Sequence, residues 1–226
     1  MQELEKKLSG LYQQHSRYEV LKDWFKLFAI ALNNNSKLIH DKEREQDEND
    51  YKSTISRYTA SEQNAILECS SLLVQEMTDD MEKGVFKDWL GDLFMRSGVQ
   101  SKDKAQCFTP YNVGKMMADL QVQSYLKSYK HRDIITFNDP CVGGGCLPIA
   151  FCNALKEQGI NYQEKALVFA QDNDELCFYM TYIQLSLIGC PAVVELKDTL
   201  LNKNLGRTRH TPLLKYQWGK FRKKVR

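Results

Sequence analysis

At 226 residues, with 42% hydrophobic and 27% charged side chains, the chain can hold one medium domain or two small ones, and its composition excludes a wholly disordered protein. No stretch approaches the roughly 20 continuous apolar residues that cross a bilayer, and the opening MQELEKKLSG lacks the apolar core of a signal peptide, so a cytoplasmic protein with no membrane partner is expected. The formal charge of +2 conceals an imbalance: residues 1–198 carry 22 basic and 29 acidic side chains, a net of −7, and every charged residue after Asp198 is basic.

The first hundred residues read as helices. Tyr18, Leu21, Trp24, Phe25, Phe28 and Leu32 recur at three- and four-residue intervals, and Ala65, Leu72, Leu73 and Met77 do so again over 61–79. Each set predicts an amphipathic helix. The intervening 36–53 is almost wholly polar and reads as a mobile loop or a solvated helix extension. A third apolar cluster, Val85, Phe86, Trp89, Leu90, Leu93, Phe94 and Met95, precedes the polar run SGVQSKDKAQ, the expected domain boundary. The division is thus a helical region over 1–100, an α/β domain over 101–200 and a basic tail over 201–226.

From 109 the pattern changes. Thr109 and Pro110 supply an N-cap and a first-turn proline for a helix that buries Val113, Met116, Met117 and Leu120 and ends near 122. A β-branched strand over 134–137 leads through a glycine cluster into an apolar helix from Leu147 to about Leu155. The unit repeats as a strand over 166–170, a helix over 175–188 and a strand over 192–196. Strands and helices alternating at this spacing imply a parallel sheet with right-handed crossovers. The 28 residues after Asp198 show no long strand.

The seven cysteines are scattered, form no C-x-x-C pair and lie mostly in apolar segments, as reduced core residues do. None of the four histidines stands at metal-ligand spacing, so no metal is expected. The basic tail can remain solvated, or dock on nucleic-acid phosphates, on the acidic body or on an acidic partner. Within it, Trp218 and Phe221 can anchor a partner contact or pack on the protein's own surface.

The segment richest in chemistry is Asp139-Pro140-Cys141-Val142-Gly143-Gly144-Gly145-Cys146-Leu147, directly after the first predicted strand. Successive glycines reach torsions closed to other residues and let the backbone approach a ligand. Ligands of open parallel sheets bind at the carboxyl ends of the strands, where this loop falls. Asp172 closes the second strand in AQDND, where a carboxylate can accept both hydrogen bonds of a ribose diol. Asp198 closes the third in LKDTL, where it can accept from an adenine amino group. Each acid alone has an ordinary reading as a solvated strand end; the three strand ends together describe one rim.

These segments resemble the N6-adenine DNA methylase family, which includes the modification subunits of type I restriction systems and their phage and mobile-element relatives. Ala105-Gln106-Cys107-Phe108-Thr109-Pro110 is similar to the family's G-Q-F-F-T-P, and Asp139 to Leu147 is similar to D-P-A-C-G-S-G-x-L, with Cys141, Val142 and Gly144 as departures. Gln171-Asp172 is similar to the Q-E or Q-D ribose-binding pair, Lys197-Asp198-Thr199-Leu200 to G-D-T-L, and YIQLSLIG to the segment between them. The resemblance covers roughly residues 90–200. It implies an α/β class I methyltransferase (Rossmann-like) parallel sheet, incomplete here, preceded by an α-helical N-terminal region. It implies S-adenosyl-L-methionine as cofactor, held by Phe108, Thr109, Pro110, Asp139, Pro140, Cys141, Gly143, Gly145, Asp172, Asn173 and Asp198.

The same resemblance exposes a gap. The family holds the target adenine with [D/N]-P-P-[Y/F], whose polar group and backbone carbonyl accept from the amino group while the aromatic ring stacks on the flipped base. No such tetrapeptide follows Asp198, and His210-Thr211-Pro212-Leu213 is the nearest degenerate candidate. No catalytic residue can therefore be named. The sheet of this family also places its first strand centrally, so one flank of that strand is expected to lie open, for the helical region or another chain to cover. The implied function is site-specific DNA (adenine-N6) methylation within a DNA modification or restriction-modification system. DNA is the expected partner, together with a second methyltransferase or specificity subunit or a further copy of the chain. The alternative is a non-catalytic, methyltransferase-like module that senses the cofactor or docks on DNA or a restriction complex; methylation of RNA or protein is a third.

Overall fold

The structure, a computed structural model, describes residues 1–34, 41–98, 108–127 and 134–225. It divides into two compact units, one of residues 1–85 and 92–106, the other of 86–91 and 107–226. Most of the polar run expected to mark the boundary lies outside the described residues.

The first unit is helical: α1 (Gln2–Leu11), α2 (Arg17–Asn34), α3 (Asp41–Ile55), α4 (Ala60–Glu82) and the latter part of α5 (Trp89–Arg96). In α2, Val20, Leu21, Trp24, Phe25 and Phe28 are buried, whereas Tyr18 faces solvent. The buried stripe of α4 is Ile66, Cys69, Leu73 and Met77, rotated slightly from the expected set. A capping box starts this helix: the Thr59 hydroxyl accepts from the Glu62 amide, and the Glu62 carboxylate accepts from the Thr59 amide. The polar segment expected as loop or extension is the helix α3 over its described part. Its attachment to α2 is itself polar, since Asn33 Nδ2 donates to Glu43 Oε1 at 2.9 Å and to the buried Asp47 Oδ2 at 2.8 Å. Apolar periodicity has nothing to register in such an interface.

The second unit carries the sheet. It contains α6 (Tyr111–Leu126), β1 (Ile135–Asp139), α7 (Cys146–Glu157), α8 (Tyr162–Lys165), β2 (Ala166–Asp172), α9 (Glu175–Leu187), β3 (Ala192–Asp198), β4 (Lys203–His210), α10 (Pro212–Tyr216) and α11 (Trp218–Val225). Strand order is β1-β2-β3-β4, with the first three parallel and β4 antiparallel to β3. Most of β2 and β3 is buried and apolar, as strands covered on both faces are. Helix α7 packs on β1 and β2, with Phe151 stacked 4.7 Å from Phe137, and α9 packs on β2 and β3. Among the described residues no strand pairs with the second edge of β1.

Two expectations are corrected by this architecture. The eight residues of β4, KNLGRTRH, do form a strand; they are polar and mostly exposed, so an edge strand of this kind leaves no apolar alternation to read. The segment after β4 is also packed: Leu214 and Phe221 are fully buried against Leu167 and Val193. Arg209 is buried with its guanidinium 5.6 Å from the Tyr182 ring centre, and Arg207 lies 3.9 Å from the Glu175 carboxylate. Of the two tail aromatics, Phe221 packs on the protein itself, while Trp218 lies against the His210 ring at 5.1 Å.

The second correction concerns α6. It buries Gly114, Ala118 and Val122, not the larger Val113, Met116, Met117 and Leu120, of which Met116 is 58% and Leu120 62% exposed. Close approach to α7 is the reason: a Cβ on Gly114 would stand 2.9 Å from Cys146 Sγ and 3.4 Å from Leu147 Cδ2. Small residues permit a short interhelix distance, which a periodicity weighted by side-chain size overlooks. The helix also runs on to Leu126, and its N-cap is Pro110, one residue beyond the predicted Thr109. Ala118→Leu is expected to destabilise the protein by about 1–3 kcal/mol through overpacking, and Met116→Gln by no more than about 0.5 kcal/mol. Denaturant midpoints check this; the reverse order would restore the predicted face.

Candidate functional site

The three parallel strands bring their carboxyl ends, Asp139, Asp172 and Asp198, to one rim of the sheet. The loop from Pro140 to Gly145 then leads into α7. Gly143 (φ +56°) and Gly145 (φ +104°) occupy the left-handed region, where a side chain is strained. The glycines also serve the protein's own packing. A Cβ on Gly143 would stand 3.2 Å from the Phe108 ring, one on Gly144 3.0 Å from Asp88 Oδ2, and one on Gly145 3.3 Å from Thr181 Oγ1.

Buried side chains fasten the loop from behind. Thr181 Oγ1 donates to the Gly143 carbonyl at 2.9 Å, and Gln184 Nε2 donates to the Gly144 carbonyl at 2.6 Å and to Asp88 Oδ1 at 2.8 Å. Gln184 Oε1 accepts from the Leu90 amide at 3.1 Å, and Asp88 Oδ1 from the Gly91 amide at 2.8 Å. Asp88, Thr181 and Gln184 are all buried. Sequence reasoning missed this clamp. Its signal was two polar residues three positions apart in the otherwise apolar helix FYMTYIQL.

The rim is cross-linked in front as well. Gly143 N donates to Asp172 Oδ2 at 2.9 Å, Asp174 N to Asp172 Oδ1 at 2.9 Å, and Cys141 N to Asp139 Oδ1 at 3.1 Å. Thr199 Oγ1, next to Asp198, donates to the Pro140 carbonyl at 2.7 Å, and Asp198 Oδ1 accepts from the Leu201 amide at 2.9 Å. Each Asp172 oxygen therefore accepts from a backbone N–H, and the Asn173 amide also favours the charged carboxylate. Asp139 is different: its Oδ2 is buried and has no hydrogen-bond partner among the described residues. Burial pushes the Asp139 carboxyl above its ordinary value of 3.8, with the Asp172 charge adding to the rise. Burial raises the Asp172 carboxyl too, although the backbone N–H groups of Asp174 and Gly143 oppose it.

The remaining predicted residues fall around this frame. Phe108 lies against Gly143, while Thr109, Pro110, Pro140, Cys141 and Asn173 are exposed. Ala105, Gln106 and Cys107 lie outside the described residues. The tetrapeptide from His210 to Leu213 is not at the rim. His210 pairs with Val193 at the opposite end of β3, and buried Thr211 Oγ1 donates to the Cys190 carbonyl at 2.7 Å while accepting from the Ala192 amide at 2.9 Å. It therefore serves the fold there and is excluded as a base-holding group for this rim. Among the described residues no cluster of His, Cys, Asp and Glu is placed to hold a metal ion, and no helix is long and apolar enough to cross a membrane.

The family model of the N-6 DNA methylases matches residues 87–212. No curated protein and no solved structure gives a match. The matched span takes in the clamp from Asp88 to Gln184, the whole rim from Phe108 to Asp198, and β4. The mostly parallel four-stranded sheet with its preceding helices is accordingly a partial Rossmann-like methyltransferase fold. Since the match covers more than half of the sequence, the chain belongs to the N-6 DNA methylase family.

Proposed function

We propose that the rim binds S-adenosyl-L-methionine and that the protein takes part in adenine-N6 methylation of DNA, the base-holding group coming from another polypeptide. The observation that carries this reading is the Asp139 carboxylate, buried where β1 enters the glycine loop, with one oxygen lacking a partner among the described residues. A buried carboxylate lacking a partner is costly, and a cationic amino group is the partner that relieves the cost. The cofactor offers such a group, and when bound it supplies the methyl group.

In this reading Asp139 accepts from the cofactor's ammonium group, Asp172 from its ribose hydroxyls and Asp198 from its adenine amino group. Phe108, Thr109 and Pro110 bound the methionine end, Pro140, Cys141, Gly143 and Gly145 line the loop, and Asn173 flanks the ribose. Thr181, Gln184 and Asp88 act through the loop they hold. The helical region of 1–100 precedes the cofactor domain of 101–200, and within 201–226 the exposed basic side chains, Lys203, Lys220 and Arg222, face DNA or a partner. Methyl transfer also needs an acceptor for the charge that develops on the amino nitrogen. No rim residue is assigned that part, and His210-Thr211-Pro212-Leu213 sits at the other end of β3. A restriction-modification system would provide such a partner. That same gap favours a second reading, a module that binds the cofactor without transferring its methyl group.

Methyl transfer to unmethylated DNA, assayed with and without candidate partner subunits, separates the two. Transfer only in the presence of a partner is expected; cofactor binding with no transfer under any pairing would establish the second reading. Asp139→Asn is expected to weaken cofactor binding by about 10- to 100-fold in titration calorimetry, the effect of losing one charge-assisted hydrogen bond. Unchanged affinity would remove Asp139 from the site.

The raised Asp139 value gives a pH dependence of defined sign. Between the unfolded value and the higher folded one, the folded protein holds more protons, so stability without cofactor is greatest on the acid side and falls as pH rises through the folded value. Cofactor affinity runs the other way, because the ammonium group needs the ionised carboxylate. It should rise over that window in the wild type and much less in Asp139→Asn; parallel pH profiles would contradict the assignment.

A further inference from the structure

The turn between β3 and β4 presents apolar side chains where polar ones are the norm. Leu200 is 98% exposed and Leu201 74%, and Leu205 just beyond is 41% exposed. The turn is nevertheless well fixed. The Leu201 amide donates to Asp198 Oδ1 at 2.9 Å, the Asn202 amide to the Thr199 carbonyl at 3.4 Å, and Thr199 Oγ1 to the Pro140 carbonyl at 2.7 Å. That last bond ties the turn to the glycine loop, so the leucines stand at the rim itself. Leu205 is lifted by a bulge: the β3–β4 register passes from Leu196 opposite Arg207 to Lys197 opposite Asn204, leaving Leu205 and Gly206 unpaired, and Gly206 takes φ +103°.

Two lysines flank this turn, Lys197 and the exposed Lys203, and between them Asp198, opposite Lys203 in the register, is engaged by the Leu201 amide. An apolar tip bordered by positive charge complements a polyanion whose interior is apolar, which describes duplex DNA, with phosphates outside and stacked bases within. An acidic protein surface would match the lysine but gives no reason for two nearly naked leucines on a fixed turn.

We infer that Leu200 and Leu201 form a wedge that enters duplex DNA beside the base presented to the rim, with Lys203 on the adjoining phosphate. This rests on the DNA methylase reading and deepens it. A base must leave the stack to reach a methyl group held at the sheet rim, at a cost of about a few kcal/mol in lost stacking. An apolar side chain filling the vacated space offsets part of that cost. Leu200 and Leu201 are placed to do so because their turn and the glycine loop are hydrogen-bonded to each other.

Binding of the full chain to a fluorescein-labelled mixed-sequence duplex, measured over a range of salt, tests the inference. It is paired with 2-aminopurine fluorescence in duplexes carrying that base in place of adenine. The double variant Leu200→Ser, Leu201→Ser is expected to lose about tenfold or more in duplex affinity, the worth of burying a leucine side chain. It should also lose the fluorescence rise that reports unstacking, with an unchanged salt slope. Lys203→Ala is expected to lower the salt slope by about one while keeping the fluorescence rise. S-adenosyl-L-methionine affinity should be unchanged in Lys203→Ala and in Leu201→Ser alone. The wedge is overturned if the wild type has no duplex affinity, if the leucine variant binds and unstacks like the wild type, or if its only effect is to abolish self-association in sedimentation. Intact cofactor binding alongside any of these would leave the cofactor reading standing; absent cofactor binding in the wild type would remove that reading instead.

Discussion

The hydrogen bonds from Thr181 and Gln184 to the carbonyls of Gly143 and Gly144 fix the loop on which the rest of the rim depends. They form in the interior, where an unsatisfied carbonyl would be costly, so loop position and polar satisfaction are a single condition. Gln184 uses its donor nitrogen twice and its acceptor oxygen once, joining α9 to the glycine loop and to the segment around Asp88. With its carbonyls held from behind, the loop can turn the Gly143 amide toward Asp172. The rim is therefore held by the protein itself and does not wait for a ligand to assemble it.

One group stands outside this mutual satisfaction. Asp172 and Asp198 each accept from backbone amides, but Asp139 keeps a buried oxygen unpaired and a raised proton affinity as the consequence. Perturbation by desolvation beside other ionisable groups in this way marks a candidate binding site. The sheet beyond is asymmetric. Its β4 side is closed by an antiparallel edge strand and by α10 and α11, whereas the far edge of β1 has no strand beside it among the described residues. In the proposed reading the rim supplies the cofactor contacts but no group for the target base, which is why that reading includes a second polypeptide.

Much of the second unit is legible directly in the sequence. β-Branched strands, glycine punctuation and strand-end acids locate β1, β2 and β3 to within about two residues, and in β2 and β3 burial on both faces forces apolar runs that end where the chain emerges. Four features escape, each for a physical reason. The face of α6 misleads because Gly114 and Ala118, not the larger methionines, permit close packing on α7. The attachment of α3 is polar, and β4 is an exposed edge, so neither leaves an apolar period. The clamp of Asp88, Thr181 and Gln184 spans 96 positions, and only the fold brings its members together. Of the rim, the acids and glycines are legible individually, but the unpaired oxygen of Asp139 emerges only in three dimensions.

Photo-crosslinking of isotopically labelled S-adenosyl-L-methionine to the full chain, with the modified peptides mapped by mass spectrometry, addresses the occupancy of this rim most directly. Label is expected in peptides containing Phe108 to Pro110, Asp139 to Gly145, Asp172 to Asn173 and Asp198, and unlabelled cofactor should compete it away. Competable label confined to other segments, or none at all, would contradict a cofactor site at the carboxyl ends of these three strands.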